Sequence, residues 1–229
     1  MSADGRATLA ILPMRGGSER VPKKNLADLA GRPLYAWILD TVLTLENVVA
    51  VVDTDDDEIE ASLQATHPKV RVIRRPPHLG VGTTPMNEVL AHTLEMESFG
   101  QTVLQVHSTN PFVSADSLRV AIASVQPATG ADSAFSVSRL QARIWSEVLE
   151  PVNHEPSVLL RTQDLPVLLI ENSSFYVFDR AVFAQTGNRI GLHPSAVDLS
   201  PLESIDIDTA EDFEFARVVA LGLQVGARS

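Results

Sequence analysis

Four short apolar runs rich in β-branched residues recur along the first half of the chain: Thr8 to Pro13, Val48 to Val52, Val70 to Ile73 and Thr102 to Val106. Runs of this length without a polar alternation fit strands buried on both faces of a sheet. Segments with helical spacing lie between them. Leu34, Ile38, Val42 and Leu45 follow Pro33, Ile59 and Leu63 follow an acidic start, and Met86, Val89, Leu90, Thr93 and Leu94 follow Pro85. Pro33 and Pro85 stand at first-turn positions, and Asp56, Asp57 and Glu58 place negative charge where a helix N-terminus favours it. Strand alternating with helix predicts an α/β domain, a mostly parallel sheet flanked by helices.

A further helix is expected over Ala115 to Val125 and a further strand over Ser133 to Ser138. The pattern then loosens. From Arg139 to Asn172, prolines at 151, 156 and 166 break short apolar runs, which reads as hairpins or an extension rather than another βα unit. Regularity returns with a strand at Ser174 to Phe178 and a C-terminal helix at Ala210 to Leu221. One domain covering residues 8–222 is expected, with no internal repeat and loose ends on either side.

Composition narrows the setting. Among 229 residues, 29 Asp and Glu oppose 18 Lys and Arg, a formal net charge of −11, so no basic excess points to nucleic acid. The absence of cysteine excludes a disulfide scaffold, a thiolate zinc site and a cysteine nucleophile. No apolar run approaches the roughly 18 to 20 residues of a membrane-spanning helix, and Met1 to Thr8 lacks a signal-peptide core, so a soluble cytoplasmic protein is expected. The histidines at 67, 92, 154 and 193 share no metal-ligand spacing, and Trp37 lies on an apolar helix as a core residue.

Charge distribution says more than its sum. Arg15, Arg20, Lys23 and Lys24 gather in the loop that follows the first strand, Pro13-Met14-Arg15-Gly16-Gly17-Ser18-Glu19-Arg20-Val21-Pro22-Lys23-Lys24-Asn25. A glycine pair beyond the C-terminal end of a buried strand can turn backbone N–H groups toward an anion, and α/β sheets bind ligands at that edge. A triphosphate suits such a loop; a merely solvated basic loop has the same composition. The spacing matches neither the P-loop nor the dinucleotide fingerprint. A second candidate is Pro201 to Thr209. There Ile205 and Ile207 alternate with Asp206 and Asp208, placing two carboxylates about 7 Å apart on one side of an extended segment. Hard oxygen ligands so placed suit Mg²⁺. An exposed strand face would read the same.

These residues carry a resemblance. The loop is similar to the signature of the acylneuraminate cytidylyltransferases, or CMP-sugar synthetases, approximately [IL]-[PL]-A-R-x-G-S-K-x-[IL]-P-x-K-N. Ser204-Ile205-Asp206-Ile207-Asp208-Thr209, with Glu211-Asp212 after it, resembles that family's S-I-D-I-D-T-x-x-D element. Between the two, Val52 to Asp56, Arg75-Pro76-Pro77-His78-Leu79, Thr109-Asn110-Pro111 and Asn172 to Val177 resemble its V-S-T-D-D, R-P-x-x-L, T-S-P and N-G-x-x-Y segments.

The resemblance implies a Rossmann-like nucleotide-diphosphosugar transferase fold in which residues 139–172 form a protruding dimerisation and acceptor-site element. It implies transfer of CMP from CTP to the anomeric hydroxyl of an acidic 2-ulosonic, sialic-acid-like sugar with release of pyrophosphate, by a homodimer with no nucleic-acid or membrane partner. Arg15, Ser18 and Lys24, with Met14, Gly16 and Gly17, would hold the triphosphate. Asn25, Arg75, Thr83 and His107 would complete the nucleotide site. Asp206 and Asp208 would bind Mg²⁺ and, with Arg15 and Lys24, form the catalytic set. Gln105, Arg161, Gln163 and Asn172 would face the acceptor.

Several positions depart from the family pattern. Glu19 replaces a lysine, with Arg20 or Lys23 able to restore the charge; His107 replaces a glutamine, with Gln105 as the other base-contacting candidate; and Val113 replaces an arginine. Leu140 to Trp145 lacks the lysine-bearing segment of sialic acid enzymes, and Arg161 to Pro166 matches theirs only in part. A different acidic acceptor, such as a ketodeoxyoctonate-type sugar or a phosphonate, and a non-catalytic nucleotide-binding protein remain alternatives.

Overall fold

The computed structural model describes residues 7–18 and 20–226. Seven strands form one sheet in the order β3-β2-β1-β4-β6-β5-β7. They are β1 (Thr8–Met14), β2 (Val48–Thr54), β3 (Arg71–Arg74), β4 (Thr102–Val106), β5 (Ser133–Leu140), β6 (Leu168–Asp179) and β7 (Pro194–Asp198). All neighbouring pairs are parallel except those made by β6, which runs antiparallel to both β4 and β5. Six helices cover the sheet: α1 (Leu34–Leu43), α2 (Asp57–Thr66), α3 (Met86–Met96), α4 (Ala115–Ser124), α5 (Arg180–Thr186) and α6 (Ala210–Gly226).

Strand periodicity divides the core. Ala10 and Leu12 of β1 point to one face with Leu104, Val106, Phe175 and Val177, where Ile38, Leu39 and Val42 of α1 and Leu118 of α4 cover them. Leu9 and Ile11 point to the other with Val103 and Phe178, against Leu90 of α3 and Phe183 of α5. This is the two-sided burial expected of apolar runs without alternation. A third cluster of Leu29, Leu34, Phe112, Ile207, Ala216 and Ala220 seats α6. The helix starts follow the sequence: Asp56 accepts hydrogen bonds from the Glu58 and Ile59 N–H groups as the cap of α2, and Ser114 caps α4.

Three features differ from the sequence reading. First, β6 begins at Leu168, not Ser174. Its first half is largely exposed, and its apolar run, Leu168 to Ile170, is short and follows Pro166, so it reads as part of the broken stretch before it. Second, α5 and β7 were not anticipated, since α5 buries only Phe183 and β7, an edge strand opened by Pro194, buries only Val197. Third, Ile205 to Asp208 belongs to no strand of the sheet.

The stretch 139–172 is an extension whose base is the ribbon formed by β5 and β6, beyond a register irregularity between Phe135 and Val137. Ser173 lies in that irregularity with φ 58°, the left-handed region that suits glycine, and it occupies the glycine position of the N-G-x-x-Y resemblance. No described helix is long and apolar enough to cross a membrane.

Candidate functional site: a cleft at the switch point of the sheet

The chain leaves β1 toward β2 and β3 on one side, and β4 pairs with β1 on the other, so the strand order reverses between β1 and β4. Diverging loops open a crevice at such a point. A cleft of about 310 Å³ lies there, lined by Pro13 of β1, Arg15 and Ser18 just after it, Lys24 and Asn25 further along the same loop, and His107, Ser108 and Thr109 after β4. Arg20, Val21, Met86 and Asp208 complete its wall.

The basic loop is fixed in place by its polar residues. Asn25 is buried; its amide donates to the Arg15 carbonyl at 3.1 Å and its Oδ1 accepts from Ser108 Oγ at 2.6 Å, joining the loop to the end of β4. The Gly16 N–H donates to Asp55 Oδ1 at 3.1 Å, and a Cβ at Gly16 would fall 2.1 Å from Asp56 Oδ2, so this close approach requires glycine. Lys23, at φ 50°, turns away to Glu58 at 2.6 Å. Lys24 turns inward and donates to the Ile207 carbonyl at 2.6 Å.

The carboxylate segment is carried to the opposite wall by backbone contacts. The Ile207 N–H donates to the Thr109 carbonyl at 3.0 Å, Asn110 Nδ2 donates to the Ile205 carbonyl at 3.3 Å, and Ile207 itself is buried. Asp212 accepts the Asp208 and Thr209 N–H groups at 3.0 and 2.7 Å at the start of α6; the Thr209 bonds hold its carboxyl below the ordinary range. Asp208 receives Arg20 at 3.0 Å and Lys24 at 3.4 Å. Asp206 retains solvent access. Even so, protein packed around its carboxyl and the neighbouring Asp208 charge push its pKa up, against the Thr109 hydroxyl and Lys24.

His107 forms the floor. Desolvation, aided by the nearby Arg189 and Lys24 cations, lowers its pKa to about 4, so the ring is neutral at pH 7. Gln105, two residues earlier on the same face of β4, is wholly buried, and its Oε1 accepts from Arg189 Nη1 at 2.8 Å.

The family model for cytidylyltransferases matches residues 9–222. The chain belongs to the cytidylyltransferase family. It is 28% identical over 233 residues to the N-acylneuraminate cytidylyltransferase of Oncorhynchus mykiss, covering 96% of this chain and 52% of the relative. The chain thus spans about half the length of that relative. It is 26% identical over 220 residues to the pseudaminic acid cytidylyltransferase of Campylobacter jejuni, covering 92% and 95% of the two chains. In fold it is similar to CMP:2-keto-3-deoxy-manno-octonic acid synthetase, solved in complex with CTP, with a TM-score of 0.71 at 14% identity over 94% of this chain and 99% of the other. These matches carry the Rossmann-like cytidylyltransferase architecture expected from the loop and the carboxylate segment.

Not every cytidylyltransferase motif residue lies in the cleft. Met14 is a core residue, because the last position of β1 points to the α1 face. Arg75 is buried in an ion pair with Asp53 on the neighbouring strand and does not line the cleft. Gly17 and Thr83 are exposed. Arg161 and Gln163 sit on the extension, where Arg161 pairs with Asp164 at 2.7 Å and the Gln163 carbonyl accepts from Gln141 at 2.8 Å. Asn172 donates to the Ser138 and Ser204 hydroxyls at 3.0 and 3.3 Å, tying β6 to β5 and to the segment before Asp206. Glu19 lies outside the described residues. Met86, which lines the cleft, and Arg189, which reaches Gln105 and the Tyr176 ring, were missed; neither belongs to a motif, and only the packing of α3 and of the loop after α5 positions them.

Proposed function

We propose that this cytidylyltransferase transfers CMP from CTP to the anomeric hydroxyl of an acidic 2-ulosonic sugar and releases pyrophosphate. What carries this reading is the convergence of Arg15, Ser18 and Lys24 with Asp208, and with the Ile207 carbonyl before it, across one cleft at the sheet's switch point. Among the described residues no ion pair engages Arg15, which leaves its guanidinium for a phosphate, while Lys24 and Arg20 are held close by Asp208. The relatives named for N-acylneuraminate and pseudaminic acid support the acceptor class.

The donor set suits Mg²⁺. Two carboxylates stand close enough for Asp208 to raise the Asp206 pKa, a repulsion that a hard divalent cation relieves, and Mg²⁺ commonly takes one or two protein carboxylates with phosphate and water filling its other positions. Asp206 and Asp208 would hold it, and when bound it supplies neutralisation of the phosphate charge that develops during transfer. The chain's own part is positioning. The Asn25 bonds fix the loop beside β4, and neutral His107 adds no charge to the floor. A cytoplasmic setting belongs to the same reading.

Pyrophosphate release tests it, with CTP, UTP, ATP and GTP each offered alongside N-acetylneuraminic, pseudaminic, legionaminic and 2-keto-3-deoxy-manno-octonic acids. Release is expected with CTP, and excess EDTA is expected to reduce it to background. No release with any nucleotide overturns the reading, and EDTA-resistant release overturns the metal.

We also propose that a second copy of the chain covers the extension. Leu149 and Leu159 are 77% and 89% exposed there, and Val148, Val152 and Ile170 of the same extension are exposed too, apolar side chains that association would take out of water. Sedimentation equilibrium at micromolar concentration is expected to give twice the chain mass, and Leu149→Glu/Leu159→Glu to give the monomer. A monomeric parent protein overturns it.

A further inference from the structure

Beside the cleft, on the α3 and α5 face of the sheet, lies a polar recess whose hydrogen bonding is incomplete. Gln105 is 0% exposed; its Oε1 accepts from Arg189, but its Nε2 has no partner. His107 Nε2 and Asn87 Oδ1, at the start of α3, are likewise buried without a partner. Asn87 Nδ2 meets Asn188 Oδ1 at 3.2 Å, so all three atoms belong to residues grouped around the 188–189 turn. Buried polar atoms are rarely left unpaired, because each forgoes its hydrogen bonds to water. Three near one turn leave hydrogen-bonding capacity that a bound group with both acceptor and donor atoms would meet.

Arg189 supplies the charge of this recess. Its guanidinium carbon lies over the Tyr176 ring, 3.6 Å from the centroid. Among the described residues no ion pair includes it, and the Glu171 carboxylate is occupied by the Tyr176 hydroxyl. Burial lowers its pKa, yet an arginine so placed stays protonated at neutral pH. The loop that presents it is rigidly held. Leu192 and His193 N–H groups donate to Asp132 at 2.9 and 3.0 Å, the Gly191 N–H donates to Ser133 Oγ at 2.9 Å, and a Cβ at Gly191 would stand 2.3 Å from Asp132 Oδ1. A desolvated guanidinium with spare donors, held against an aromatic face, matches a carboxylate. Beside it, Gln105 Nε2 adds a donor and Asn87 Oδ1 an acceptor for an adjacent hydroxyl.

We propose that Arg189, held between Gln105 and Tyr176, is a specificity-determining residue that binds the carboxylate of the acceptor in this recess, with Asn87 accepting from a neighbouring hydroxyl. The inference rests on the acidic-sugar reading above and assigns its carboxylate to named residues. Arg15 and Lys24 are then left to the triphosphate, so the two anionic substrates meet different cations. The functional split follows: loss of Arg189 weakens the acceptor and leaves CTP alone.

With whichever of the four acids the parent protein uses best, Arg189→Met is expected to raise the acceptor KM about 30-fold while the KM for CTP stays within about twofold, as loss of one charge-assisted contact implies. Arg189→Lys is expected to recover part of the loss. An unchanged acceptor KM, or an equal rise for CTP, overturns the proposal. NMR of the Gln105 side-chain amide and the His107 ring provides a readout independent of turnover. Adding the four acids one at a time to the parent protein with CTP is expected to shift both signals with at least one acid, and Arg189→Met to abolish the shift. No shift with any acid overturns the recess as a carboxylate site. A shift without pyrophosphate release keeps the recess and overturns the transfer reading.

Discussion

Asp208→Ala is expected to lower kcat for CTP-dependent pyrophosphate release about 10³-fold while leaving metal-free CTP binding undiminished. Asp208 stands in the cleft as the acceptor of two cations, Arg20 at 3.0 Å and Lys24 at 3.4 Å. Its removal takes away one of the two carboxylates proposed for Mg²⁺ and, with it, stabilisation of the transferring phosphate. Lys24 does not lose its place, because the Ile207 carbonyl still accepts from it at 2.6 Å. Two cations are released and one anion is gone, so a triphosphate meets a more positive cleft. Steady-state kinetics with Mg²⁺ and calorimetric titration of CTP in EDTA read the two effects separately. If kcat falls by less than tenfold, the metal assignment fails. If metal-free CTP binding weakens, Asp208 serves mainly to orient the cations.

The second large effect is on stability. Arg75→Met is expected to cost about 3–5 kcal/mol, because it strands a buried carboxylate. Asp53 is 0% exposed on β2 and accepts from Arg75 Nε at 2.5 Å and Thr93 Oγ1 at 2.9 Å, with His92 Nδ1 at 3.3 Å. Arg75 Nη2 also donates to the Asp53 carbonyl at 3.1 Å. For a domain of this size such a loss lowers the Tm by roughly 10 °C or more. Arg75→Met/Asp53→Leu should be milder than Arg75→Met alone, since removing both charges leaves no unpaired ion. Urea denaturation checks the order of the three proteins. A single-variant loss below about 1 kcal/mol would mean that water reaches the Asp53 carboxyl, which its burial argues against.

The contrast between these two sites marks what the sequence made legible. Strands β1, β2 and β4 and helices α1 to α4 were readable because each buries a local, regular pattern, and the basic loop was readable because four cations lie within ten positions. Arg75 looked like a ligand residue in its motif. Its role as the partner of Asp53 depends on the pairing of β2 with β3, which no local pattern states. Arg189 had no signal at all, standing alone in a short polar turn whose position is set by bonds to Asp132 across 60 residues. The first half of β6 escaped notice because its apolar run, Leu168 to Ile170, is short, follows Pro166 and gives way to polar Glu171 to Ser174, so it reads as one more broken piece of the 139–172 stretch.

The antiparallel course of β6 also orders events as the chain is made. The edge of β4 that carries Gln105 pairs with Tyr176 and Phe175, and the whole extension must leave the ribosome before those residues arrive. Until then β1 to β4 can assemble by near-neighbour pairing, with the basic loop beside them and one strand edge bare. The carboxylates at 206 and 208 come later still. A nascent chain therefore acquires its phosphate-facing cations first, its floor with β4 and its acidic wall last, and a molecule stalled before β6 exposes β4 to its neighbours.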